Sequence, residues 1–142
     1  MFLQFLPLIL VVCSNVCYHI FSKSTSADAN PFASLFVTYT VAACITFLFL
    51  LFTTQGKGLP HTFSQLNRSS FLLGIAIIGL EFGYLQAYRM GWDISICSLL
   101  ANITLGIILL LIGILFYREQ ITKQQLFGVI FCLIGIFFIN RK

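Results

Sequence analysis

Apolar residues run along this chain in five blocks, each about as long as a helix that crosses a bilayer, with short polar stretches between them. A spanning helix takes about 20 predominantly apolar residues. The blocks fall at about 2–21, 31–52, 70–90, 94–117 and 125–140. The pattern predicts an all-α membrane protein with five transmembrane helices, a single membrane domain over residues 1–142. Pro7 falls in the first turns of the first block, where a missing amide donor costs little. Asn30 followed by Pro31 reads as an N-cap with proline at the first helical position. The longest polar stretch, TTQGKGLPHTFSQLNRS, carries Gly and Pro and reads as irregular. Gly91-Trp92-Asp93 is a tight connection, with Trp92 placed as an interfacial anchor. Thr122 is a candidate cap for the last block, and Arg141 and Lys142 would anchor its end. The opening MFLQFLPLILVV lacks the positive region of a signal peptide and is expected to be a retained span.

Composition strengthens this picture. Of 142 residues, 59% are hydrophobic and 8% charged, against about 25% charged in an ordinary soluble domain. No length remains for a separate soluble domain. Cys13, Cys17, Cys44, Cys97 and Cys132 all lie in apolar blocks and form no CxxC pair, so they read as small apolar fillers. The net charge of +4 is scattered among loops and the C-terminus, which argues against nucleic-acid binding. There is no nucleotide loop, zinc motif or nucleophile triad, so no enzyme, metal or cofactor is expected.

Charge placement bears on assembly. Five spans put the termini on opposite sides. Lys57, Arg68, Arg118 and Lys123 then share the N-terminal side, and Lys23, Arg89, Arg141 and Lys142 the other. Orientation follows a bias in such charges, and four against four is no bias. Such a chain can insert both ways, and two opposed copies form an inverted-topology pair. The alternative is a single orientation set by weaker cues or by the insertion machinery.

Glu81 is the one acid of four that falls inside a predicted span. A carboxylate at that depth costs roughly 2.5–3.5 kcal/mol on insertion scales. Tyr84, Leu85 and Tyr88 follow it at i+3, i+4 and i+7 along one helical stripe. There Glu81 can exchange a proton for a substrate cation, with the tyrosines donating to it or stacking on the cation. The structural alternatives are a hydrogen bond to a polar residue such as Asn15 or Asn102, or a static pair with a basic residue. Arg89, eight residues on, is poorly placed for a pair within the same helix. Gly79 and Gly83 bracket Glu81 as GxxxG, which permits close helix packing or leaves room for a ligand. In the first block, Asn15 and Tyr18 share a face expected to line a cavity, while His19 near its end suits an interfacial role. Thr38, Ala42 and Thr46, beside Tyr39, form a small-residue packing stripe. Ser98, Asn102 and Gly106 form another, with Asn102 a candidate for an interhelical hydrogen bond or, second, for substrate contact. Gly128, Cys132 and Gly135 suggest an interface with another helix or subunit.

The run from Gly83 to Asn140 resembles the drug/metabolite transporter superfamily, through Ala87-Tyr88, Arg118-Glu119, Ile121-Thr122, Gln125, Gly128 and Gly135. CSNVCYHIFSK and NPFASLFVTYTVAA, with Ser14-Asn15 and Lys23, resemble the first two helices of an EamA-type repeat. That resemblance implies a single five-helix repeat, where fuller members carry two in inverted orientation. The small multidrug resistance proteins are similar single-repeat relatives that work as antiparallel dimers. Their essential glutamate lies in the first helix, where this chain has Cys13, Ser14 and Asn15, so a coupling role for Glu81 rests on its depth alone. An arginine often seen early in the second helix is replaced here by Thr38 and Tyr39.

The expectation is therefore a membrane transporter, in the inner or plasma membrane of a prokaryotic cell. Two subunits of a homodimer would enclose a midplane cavity lined by Glu81, Tyr84, Tyr88, Asn15, Tyr18 and Asn102. Its cargo would be a small metabolite or organic cation, moved by alternating access. The rival readings are a lipid-carrier flippase subunit and a non-transporting accessory subunit.

Overall fold

The computed structural model describes residues 2–120 and 122–139. Ile121, Asn140 and the two anchoring residues Arg141 and Lys142 lie outside the described residues. The described chain is helical between short turns: α1 (Phe2–Ser24), α2 (Pro31–Thr54), α3 (Leu59–Ser64), α4 (Arg68–Arg89), α5 (Ile94–Tyr117) and α6 (Lys123–Ile139). Four helices carry stretches long and apolar enough to cross a membrane, at Phe5–Ser24, Pro31–Thr54, Arg68–Arg89 and Ile94–Tyr117. The apolar part of α6, Gln124–Gly135, is shorter. Its 17 residues rise about 26 Å, somewhat under a hydrocarbon core of roughly 30 Å.

Local chemistry sets the helix ends. The Asn30 side chain accepts from Phe32 N at 2.9 Å and Ala33 N at 3.4 Å, and Pro31 follows it. This satisfies amide donors that have no partner inside the helix. At the other end of α2, Gln55 takes a left-handed conformation (φ 52°), and Gly56 N bonds back to Leu51 O at 3.1 Å. That closure returns a free carbonyl to a donor. The stretch read as irregular contains α3, one short helix with Pro60 in its first turn and Gly58 at φ 67° before it. Proline inside the first turn forfeits no helical hydrogen bond, so a proline-bearing segment can still coil. Asn67 caps α4 through Ser69 N at 3.1 Å, so that helix begins at Arg68 rather than Ser70.

Residues Met1–Met90 and Gly91–Lys142 form two compact units. In the first, α4 is the shared partner: α1 packs against it, and so does α2. The α2 contact includes the stacked rings of Phe32 and Phe82, 5.2 Å apart at 15°. Leu35, Leu85, Tyr88 and His19 are buried. In the second unit α6 packs on α5. Thr122 and Gln125 form a reciprocal box at the start of α6. Gln125 Oε1 accepts from Thr122 N at 2.8 Å, and Gln125 N donates to Thr122 Oγ1 at 3.3 Å. At the end of α5, Arg118 is left-handed, and Glu119 N donates to Gly113 O at 3.0 Å. The Glu119 carboxylate covers the buried Gly113, where an added Cβ would lie 2.5 Å from Oε2.

Most apolar side chains on the long helices are exposed. Between helices in lipid there is little hydrophobic driving force, and packing rests on shape and polar contacts. A sparse core with apolar outer faces suits helices whose surroundings are lipid or further helices.

Candidate functional site

Glu81 stands eight residues before the end of α4, about 12 Å along the helix axis at 1.5 Å per residue. It is half-buried, and it makes no ion pair among the described residues. It lines a cavity of about 220 Å³ within the first unit, with Leu85 of the same helix. The end of α1 and the residue after it contribute Tyr18, Phe21, Ser22 and Thr25, and the start of α2 contributes Ser34, Leu35 and Thr38. Those two segments flank the 25–30 connection, so the cavity runs from that rim to the carboxylate. Three of its hydroxyls are turned back on helix carbonyls: Thr25 on Phe21, Ser34 on Asn30 and Thr38 on Ser34.

Two phenols surround the acid. Tyr39 of α2 lies close enough to Glu81 to interact with it electrostatically, and so does Tyr18 of α1. Tyr39 approaches Glu81 as a hydrogen-bonding neighbour and Tyr18 approaches Ser22 in the same way, although neither phenol oxygen, both of them buried, reaches a close, well-aligned hydrogen bond among the described residues. A buried, unsatisfied hydroxyl is costly. Two such phenols near one carboxylate make this a polar spot inside the helix trio.

Behind Tyr18 lies an aromatic cluster. His19 is 6% exposed, and its Nδ1 meets the Tyr88 hydroxyl at 2.7 Å. Its ring lies 4.8 Å from that of Tyr84, edge to face, and Tyr84 and Tyr88 are stacked at 6.1 Å. Tyr18 joins the cluster at 5.8 Å from Tyr84. Lys23 Nζ lies over the Tyr88 ring, 5.6 Å from its centroid. Arg89 reaches across from α4 to the Ser26 carbonyl at 3.1 Å, which fixes the connection after α1.

The expected site residues thus separate. Glu81 and Tyr18 line the cavity. Tyr84 and Tyr88 share the stripe below Glu81 but pack into the cluster behind Tyr18. Asn15 is half-buried on α1 and outside the cavity lining. Asn102 belongs to the other unit, and its Nδ2 donates to Ser98 O of its own helix at 2.8 Å instead of to a neighbouring helix. A carbonyl one turn back is always within reach of such a side chain, and it competes with any distant partner. His19 departs from the interfacial role expected of it: it is buried and hydrogen-bonded, because Tyr88 offers it a partner inside the helix pair. In the stripe Thr38, Ala42 and Thr46, only Thr38 reaches the cavity, and Ala42 and Thr46 are exposed. A Cβ added at Gly79, Gly83, Gly128 or Gly135 would meet nothing within 4 Å. The cavity hydroxyls of Ser22, Thr25 and Ser34, and the phenol of Tyr39, do not stand out in the sequence. Their one signal there is the concentration of Ser and Thr on both sides of the first polar connection.

The chain matches the EamA-like transporter family over residues 4–141 and belongs to that family, within the drug/metabolite transporter superfamily that its C-terminal half resembles. Membership makes transport across a membrane its general function. No curated protein and no solved structure matches it.

Proposed function

We propose that this chain moves a small metabolite or organic cation by alternating access, and that Glu81 carries the exchanged proton. The observation behind this reading is the placement of Glu81: a lone carboxylate inside a span, lining a cavity, with no basic partner among the described residues. An acid kept at that depth needs compensation. A fixed counter-charge would supply it permanently, whereas a proton or a cationic substrate supplies it in turn. Two ligands that compete for one carboxylate are coupled: loading either one releases the other. The unit working in the plasma membrane of a prokaryotic cell would be an antiparallel homodimer of five-span subunits. The even division of basic residues between the two sides supports opposed copies. The glycine faces of Gly79 and Gly83 on α4, and of Gly128 and Gly135 on α6, are open to a second copy. Within the first unit, Tyr18 lines the proposed substrate cavity beside Glu81, and Tyr84 and Tyr88 support it from the cluster behind.

The test is exchange in proteoliposomes that carry a pH gradient, with a panel of organic cations outside. Wild-type protein is expected to release protons as cations enter, and Glu81→Gln to lose that release while still assembling. Undiminished proton-driven uptake by the Gln variant would remove Glu81 from the mechanism. A flippase would instead require substrates with polyprenyl or acyl tails, and an accessory subunit would co-purify with a different chain.

A further inference from the structure

We propose that the Glu81 cavity selects cations that carry N–H donors, namely primary and secondary ammonium ions, over fully substituted ones. This deepens the transport reading above and rests on it for the role of Glu81.

A hydroxyl has one hydrogen to donate and two lone pairs with which to accept. At three of the four aliphatic hydroxyls of the cavity wall that hydrogen is already committed. Thr25 Oγ1 donates to Phe21 O at 3.1 Å, Ser34 Oγ to Asn30 O at 3.4 Å, and Thr38 Oγ1 to Ser34 O at 3.0 Å. Such turn-back bonds are the local alternative that Ser and Thr find in a helix. What these three side chains offer a ligand is lone pairs. An ionised carboxylate likewise only accepts. The wall is therefore rich in acceptors and ends in a negative charge, and neither Lys nor Arg is among its lining residues. Its occupant has to be positive and has to bring hydrogens of its own. The donors left in the wall are the Tyr18 and Ser22 hydroxyls, against the lone pairs of the other three hydroxyls and the carboxylate.

A quaternary ammonium ion meets the charge requirement and fails the other. It has no N–H, so on entry it would displace water from the free lone pairs and the carboxylate without replacing the hydrogen bonds that water made there. Quaternary ions are held instead by cages of aromatic faces. The rings of His19, Tyr84 and Tyr88 stack among themselves behind Tyr18 and do not line the cavity. Of the two rings that do, Tyr18 is engaged edge-on with His19 and Tyr84, and Phe21 is 70% exposed. They do not enclose a cation. Size points the same way. At about 220 Å³ the cavity is below the 300–1,000 Å³ typical of drug-sized ligand pockets, which favours a small amine over a bulky substituted one. Sites built to hydrogen-bond a ligand reject the analogue lacking the donor far more strongly than apolar pockets reject an extra methyl group.

The experiment uses the full chain in lipid nanodiscs and three ions measured by calorimetric titration. These are phenethylammonium, its N,N,N-trimethyl derivative, and 5-phenylpentylammonium, which carries the same three extra carbons at its apolar end. The primary ions should both bind, at least about tenfold more tightly than the trimethyl ion. Thr38→Val, which removes one acceptor at nearly constant volume, should narrow that ratio, and Ser34→Ala should do so independently. Equal or tighter binding of the trimethyl ion overturns the proposal. If Glu81→Gln then abolishes binding of all three, the carboxylate reading stands and only the donor preference falls. If no ion binds to wild-type protein, the cation assignment and the donor preference fall together.

Discussion

The Tyr88 hydroxyl and His19 Nδ1, 69 residues apart in sequence, meet at 2.7 Å and join α4 to α1 through a buried hydrogen bond. Neither residue lines the cavity, yet Tyr18, which does, is the chain neighbour of His19 and sits edge-on to it at 5.2 Å. The bond therefore positions one wall of the cavity. Removing the phenol oxygen alone leaves a buried imidazole nitrogen unpaired, which costs about 1–3 kcal/mol. Tyr88→Phe should lower unfolding stability in detergent by that amount. Combining it with His19→Leu should recover most of the loss, because replacing both partners with apolar groups leaves nothing unsatisfied. A double variant as unstable as the sum of the two single ones would show that the pair has no coupling.

Asn30 holds the start of α2 and, through it, Ser34 and Leu35 of the cavity wall. Asn30→Ala removes the acceptor for the Phe32 and Ala33 amides and should cost about 1 kcal/mol, within the usual 0.5–2 range for a lost cap. The same change should raise amide exchange in the first turn of α2 and leave that of α5 unchanged. Asn30→Ser, which keeps a capping oxygen, should restore most of the stability.

Gly79 and Gly83 have open space where a side chain would be. Bulk at Gly83 should therefore leave the isolated subunit folded and disturb only what packs against it from outside. Gly83→Leu is expected to retain wild-type helix content and to shift the particle mass in nanodiscs from two copies to one. A dimer that survives this substitution would place the subunit contact on another face.

With α6 crossing as a fifth span, the even division of basic residues predicts both orientations in one membrane. A C-terminal reporter active only in the cytoplasm and one active only outside should both give signal from the same chain. Adding two lysines to one loop should silence one of them, since small changes in charge bias set orientation. Signal from one side alone would limit any dimer to parallel copies.

The long helices are legible in the sequence because an uncharged apolar run of bilayer length seldom occurs except as a span, and α4 is legible down to its polar stripe. The i+3 and i+7 spacing puts Tyr84 and Tyr88 along the same α4 stripe as Glu81. It does not show that their rings pack against α1 and leave the carboxylate to Tyr18 and Tyr39. His19 escapes the sequence for the same reason: its partner lies in another helix, and helical periodicity carries no information between helices so far apart along the chain. The hydroxyl wall is obscured by a different effect. Ser and Thr near a helix end look alike whether they cap, pack or line a pocket, and only the convergence of α1 and α2 on α4 separates those roles. The Pro and Gly that make residues 55–67 look irregular mark the edges of α3, since both residues also suit the opening of a helix.

α4 is held both by α1 and, through the Phe32–Phe82 stack, by α2. Turning Glu81 toward the opposite water layer by spinning its own helix would unseat both neighbours at once. On the transport reading proposed above, the three helices would have to tip together, with the acid a passenger on them.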